Sequence, residues 1–149
     1  MSCMGTTSAE TRTISKKTTS RDKTVLRFPE GLLGFETLKK FCLVGRPQEE
    51  PFLWLEVQDE SGVAFLVVPP DRVTVGYQPD LATADVAFLG LKDPREALLL
   101  CIVTLRGNGR PTVNLKGPIV INAGTRIGKQ VVPNNASEYS TQYALPVTA

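Results

Sequence analysis

The sequence predicts an all-β domain, a small antiparallel barrel or sandwich carrying one or two short helices. Three observations lead there. Its apolar runs are short and rich in β-branched and aromatic residues; Gly, Pro and Asp punctuate them at close intervals; helical patterning is confined to two brief stretches. With 149 residues the chain has the length of one domain. Residues 1–24 are a different material: eleven are Ser or Thr, and five bases against two acids give +3. So little apolar surface cannot offset the entropy of ordering, which predicts a disordered, basic tail. The β domain is expected over 25–145, with a short C-terminal tail at 146–149.

Val25–Phe28 reads as a strand halted by Pro29 and Gly31, and Phe35–Lys40 as a helical turn before a strand at Phe41–Val44. Phe52–Val57 and Val63–Val68 flank five polar residues ending in Gly62, a hairpin signal, and Pro69-Pro70 ends the second strand. Thr83 is placed to cap a helix over Ala84–Leu89 that Gly90 closes. Asp93 followed by Pro94 is the start signal of a further helical turn. Leu98–Leu105 is apolar at nearly every position, as a strand covered on both faces requires, which places it centrally. Gly107-Asn108-Gly109 turns the chain into strands at Thr112–Leu115 and Ile119–Ile121, and a turn from Asn122 to Gly128 leads to a strand at Lys129–Val132.

Composition argues against catalysis. There is no His, which removes the commonest general base, the commonest metal ligand and every Ser-His or Cys-His nucleophile pair. The three cysteines have no zinc-type spacing; Cys42 and Cys101 fall inside apolar runs and read as core. No cofactor, metal or small-molecule substrate is expected. No apolar run approaches the ~20 residues of a membrane helix, and no signal-peptide pattern opens the chain, so a soluble, cytoplasmic protein without membrane contact is expected. The net charge of +2 leaves −1 outside the tail, and the aromatics Phe28, Phe35, Phe41, Phe52, Trp54, Phe65, Tyr77 and Phe88 read as core. Both observations disfavour direct nucleic-acid binding, although a small barrel that binds single-stranded RNA stays as the alternative function.

Protein–protein recognition remains. Glu49, Glu50, Glu56, Asp59 and Glu60 gather around one hairpin with Trp54 among them. An aromatic anchor inside an acidic rim is the anatomy of a binding patch, while a core Trp with acids guarding a sheet edge is the bland equivalent. Both roles stay open on sequence alone. Glu30, Asn122, Arg126 and Gln130 are polar positions that packing does not obviously demand. They join Trp54, Glu56, Asp59 and Glu60 as candidate partner contacts, although turn-holding roles are the commoner use of such residues.

The text of the strands then becomes recognisable. Phe28-Pro29-Glu30-Gly31-Leu32-Leu33-Gly34-Phe35-Glu36 resembles the opening signature of the flagellar assembly factor FliW family. Pro51–Leu55 with the Val63–Pro69 strand, then Leu89–Leu91 with Asp93-Pro94 and Leu98–Thr104, then Asn114-Leu115 through Pro118–Asn122, and finally Thr125–Val132 are similar to its later blocks, in family order. The resemblance covers about residues 25–145. It implies a compact antiparallel β-barrel-like fold, a non-enzymatic role and a bacterial cytoplasmic setting. It also implies two partners: the RNA-binding translational regulator CsrA, whose repression of flagellin translation is relieved, and flagellin itself, which occupies the factor when it accumulates. A basic regulator suits an acidic hairpin edge. The chain departs from the family pattern in three places: its long tail, Leu33 where proline is expected, and a Tyr139–Leu145 segment without the family's Arg-His pair.

Overall fold

The structure, a computed structural model, describes residues 24–59, 61–105, 107 and 109–145. Nine strands are found among them: β1 (Thr24–Arg27), β2 (Lys40–Gly45), β3 (Leu53–Val57), β4 (Ala64–Val68), β5 (Ala97–Thr104), β6 (Thr112–Val113), β7 (Ile119–Asn122), β8 (Ile127–Gln130) and β9 (Tyr143–Ala144). One α-helix, α1 (Thr83–Leu89), lies between β4 and β5. The sheet runs β4-β3-β2-β1-β8-β7-β5-β6-β9, and β4 also pairs with β5. That extra pairing closes seven strands into a barrel and leaves β6 and β9 as a side arm. Closure removes the open edges that an antiparallel sandwich would leave.

Alternation along the strands sorts the side chains. Phe41, Leu55, Val67, Leu100, Ile119 and Ile121 point inward and make one buried core with Leu26 and Phe28. The outward residues of β4 and β5, Val68, Cys101 and Val103, are buried too, because Val113, Leu115, Tyr77, Tyr139 and Tyr143 cover them. On the opposite flank, Leu89 of α1 packs on Val120 and Val131. β5 is the hub, pairing with β7, β4 and β6 in turn along its length, as its apolar sequence implies. Cover on both faces holds only for its middle: Leu98 and Thr104 are exposed at its two ends, and Leu105, expected within the covered run, lies beyond the strand and is exposed.

Close packing explains one glycine. A Cβ on Gly128 would lie 2.8 Å from the Phe28 ring, so the aromatic that fills the barrel end requires a bare backbone at that point of β8.

Several local expectations are corrected. The residues 35–39 form no helix; Leu32 and Phe35 make an isolated antiparallel bridge, and Leu38 N–H closes a turn on the Phe35 carbonyl at 3.2 Å. Thr83 is the first residue of α1 and not its cap: Ala82 holds the extended capping position, without a side-chain bond. Asp93 does cap, accepting the Arg95 N–H while Glu96 reaches back, although the element is a single 3-10 turn at Pro94–Glu96. The pairing is not wholly antiparallel, since β1 meets β8 in parallel at Arg27↔Ile127. The expected disordered tail lies outside the described residues apart from Thr24, which begins β1, and 146–149 lie outside them as well.

Candidate functional site

The signature segment between β1 and β2 folds over one mouth of the barrel. Gly31 takes φ +68°, and any side chain there would meet the Phe35 carbonyl at 2.5 Å, so the loop tightens on itself. Two reciprocal bonds, Leu32 N–H to the Phe35 carbonyl at 3.2 Å and Phe35 N–H to the Leu32 carbonyl at 2.7 Å, fix its tip. Leu32 is driven into the core at 1% exposure, while its neighbours face outward, Leu33 at 55% and Phe35 at 45%. Phe35 was expected in the core. It stands instead at the end of a row of rings, stacked edge-on to Phe65 at 5.1 Å, with Phe41 and Phe28 following inward.

Gln130 braces this loop. Its Oε1 accepts the Leu33 N–H at 2.9 Å across 97 residues of sequence, and its Nε2 donates to the Gly117 carbonyl at 2.9 Å. At 7% exposure it is a buried polar group with both ends satisfied. Beside the loop, β5 parts from β4 after Ile102 to pair with β6. The parting leaves a groove of about 320 Å³ between Phe65, Leu33 and Phe35 on one side and Thr104 and Thr112 on the other.

Asn122 has a similar task. Buried at 6% exposure, it donates to the Leu89 carbonyl at 2.8 Å and accepts the N–H groups of Gly124 and Thr125, at 2.8 and 3.2 Å. It joins the end of α1 to the β7–β8 turn. Arg126 in that turn adopts φ +64°, rare outside glycine, and its carbonyl accepts the Arg27 N–H at 3.0 Å, while its side chain is exposed.

Glu30 lies at the other flank of the signature loop, 3.6 Å from the ammonium of Lys129. The same ammonium donates to Asp85 of α1 at 2.6 Å and sits 5.3 Å from the centre of the Phe88 ring. The Asp85 hydrogen bond is the main reason the Lys129 pKa is raised. Loop, β8 and α1 are thereby tied at one charged point. Sequence reasoning missed Lys129 because its partners lie 44 and 99 positions away and share no pattern with it.

The acidic hairpin is separate. Trp54 and Glu56 project from the outer face of β3; Trp54 packs with Cys42 and Val44, and its indole N–H donates to Glu49 Oε1 at 3.2 Å. Glu49 is held in turn by Arg46 Nη1 at 3.1 Å. In the loop beyond, the Asp59 carboxylate accepts both the hydroxyl and the N–H of Ser61, at 2.5 and 2.8 Å, which lower its pKa. Glu60 lies outside the described residues. The other seven expected site residues fall into two groups. Glu30, Asn122, Arg126 and Gln130 surround the signature loop and its supports, and Trp54, Glu56 and Asp59 stand on or beside β3.

Among the described residues there is no group of three or more His, Cys, Asp or Glu able to hold a metal, and no helix long and apolar enough to cross a membrane.

Comparison with known proteins agrees with this architecture. The chain is 41% identical over 118 residues to the flagellar assembly factor FliW of Leptospira interrogans (strain Fiocruz L1-130), spanning 78% of this chain and 79% of that protein. It is 34% identical over 123 residues to the flagellar assembly factor FliW of Natranaerobius thermophilus, spanning 81% of each. A crystal structure of the flagellar assembly factor FliW superposes with a TM-score of 0.73 at 30% identity, covering 83% of this chain and 86% of that one. The family model described as FliW protein matches residues 8–145, nearly the whole chain, which therefore belongs to the FliW family.

Proposed function

We propose that this chain is a cytoplasmic flagellar assembly factor that works by protein binding alone. It binds a CsrA-type translational regulator, relieving repression of flagellin translation, and it binds flagellin in a partner switch. The observation that carries this is family membership over residues 8–145, together with relatives named as flagellar assembly factors. The surface chemistry supports it. Acidic and aromatic side chains stand outward on β3 and its loop, where a basic, RNA-binding partner gains electrostatic steering. Trp54, Glu56 and Asp59 stand on this face, and Glu60 is the further contact proposed from the sequence. Glu30 and Arg126 contribute exposed charge near the signature loop, and Asn122 and Gln130 act through the turns they hold. Among the described residues the barrel core is built of apolar side chains, and the His-free sequence supplies no imidazole.

Mixing the full chain with a CsrA-type regulator and with flagellin, separately and together, tests the proposal by calorimetry and competition. Binding to each, with flagellin in excess displacing the regulator, is the expected result. Reversing Asp59 and Glu60 together to Lys slows association with the regulator severalfold at low salt, and the effect fades as salt rises. A chain that ignores both proteins yet shifts RNA in a gel is instead the small RNA-binding barrel.

A further inference from the structure

We infer that the groove at the barrel mouth, between the signature loop and the β5–β6 arm, is a docking site for a polypeptide segment poor in charge. That segment presents one apolar anchor flanked by Ser, Thr, Asn or Gln. The inference rests on the reading above that the chain has two protein partners, and it assigns this groove to the partner other than the basic regulator.

The chemistry of the lining sets the occupant. Among the described residues no charged side chain lines the groove. A strongly basic or acidic ligand entering it surrenders hydration and meets no counter-charge, a cost that a neutral segment avoids. The rim offers Leu33 and Phe35, each about half exposed and each placed there by a fixed backbone: the reciprocal Leu32–Phe35 bonds and the Gln130 brace. An apolar rim held in this way is preorganised, so little entropy is lost when a partner covers it. Opposite stand the hydroxyls of Thr104, Thr112 and Thr141 and the side-chain amide of Gln142, which make no side-chain hydrogen bond among the described residues. These are neutral donors and acceptors facing the groove. A volume of about 320 Å³ is at the small end of ligand pockets, about 300–1,000 Å³, and suits an anchor side chain rather than a whole helix.

The acidic face of β3 has the contrary chemistry, carboxylates around a half-buried indole. Two partners of different charge therefore take their main contacts from two different surfaces of one small domain, on which their bodies still exclude one another, and substitutions separate the contacts.

The test uses the full chain and two variants. Leu33→Ser removes an exposed apolar group while keeping the backbone N–H that binds Gln130. Thr104→Arg places a charge in the neutral lining. Each is expected to weaken flagellin binding at least tenfold and leave affinity for the CsrA-type regulator within twofold. Unchanged flagellin binding, or equal loss for both partners, overturns the assignment. A second arm needs neither protein: the peptide acetyl-Ser-Gln-Leu-Asn-Thr-amide is titrated against the isotope-labelled chain. Shifts of the Leu33, Phe35, Thr104 and Gln130 amides, absent in both variants and weaker with Lys in place of Gln and Asn, support the site. Absence of such shifts in the unsubstituted chain overturns it. If the peptide binds while neither protein does, the groove stands and the two-partner reading falls.

Discussion

The barrel mouth and the acidic hairpin are built on opposite principles. At the hairpin the side-chain hydrogen bonds named above are local: Asp59 to Ser61 spans two residues and Trp54 to Glu49 spans five. At the mouth the decisive support, Gln130 to Leu33, spans 97. A surface held by near neighbours tolerates loss of one contact, because water and adjacent groups replace it. A surface held by a buried bond across the fold does not.

The largest effect expected from this contrast comes from Gln130→Ala. It strands the Leu33 N–H and the Gly117 carbonyl, a cost of about 1–3 kcal/mol for the unpaired groups. A fall in Tm of several degrees follows, and hydrogen exchange accelerates at Leu33 before it does at Leu55. Equal protection at Leu33 in the variant breaks the comparison.

A pH-dependent effect, confined to alkaline solution, sharpens it from the second core. Burial pushes the Cys101 thiol up to about 12, and Tyr77 is raised by burial as well. The folded state thus holds these protons more tightly than the unfolded chain does. The sign is fixed: the contribution is complete below the unfolded thiol value near ~8.5 and is lost as pH rises toward 12. Urea melts between pH 8 and 11 should show stability declining, and Cys101→Ala should decline less steeply.

Smallest of all is Ser61→Ala. Asp59 loses the hydroxyl partner, the larger cause of its lowered pKa, and keeps the Ser61 N–H; the pair is exposed, and stability moves by under about 0.5 kcal/mol. A shift above 1 kcal/mol in denaturant unfolding would place the hairpin among the structural supports after all.

The same division governs what was legible in the sequence. The strands were readable, from Phe41–Val44 to Ile119–Ile121, because alternation and turn residues are local signals. Barrel or sandwich could not be decided, since closure depends on Val67↔Ile102 and Val68↔Cys101, pairs that no short window contains. Thr83 looked like a cap because residue preference cannot distinguish the capping position from the first helical turn; the extended backbone of Ala82 decided it. Phe35 looked like core because an aromatic between Gly34 and Glu36 has no periodicity to reveal its face. Asn122 and Gln130 stand out in the sequence as polar positions that packing does not obviously demand, but their bonds to Leu89 and Leu33 belong to the tertiary fold.

One seam of the ring has a mechanical consequence. β1 is joined to β2 by four register pairs but to β8 by a single one, Arg27↔Ile127. A zipper fastened at one tooth parts there first, so local opening begins where the N-terminal segment enters the body. Phe28 and the signature loop follow that tooth directly in the chain. Opening at that seam is therefore passed along the chain to the very lip that carries Leu33 and Phe35.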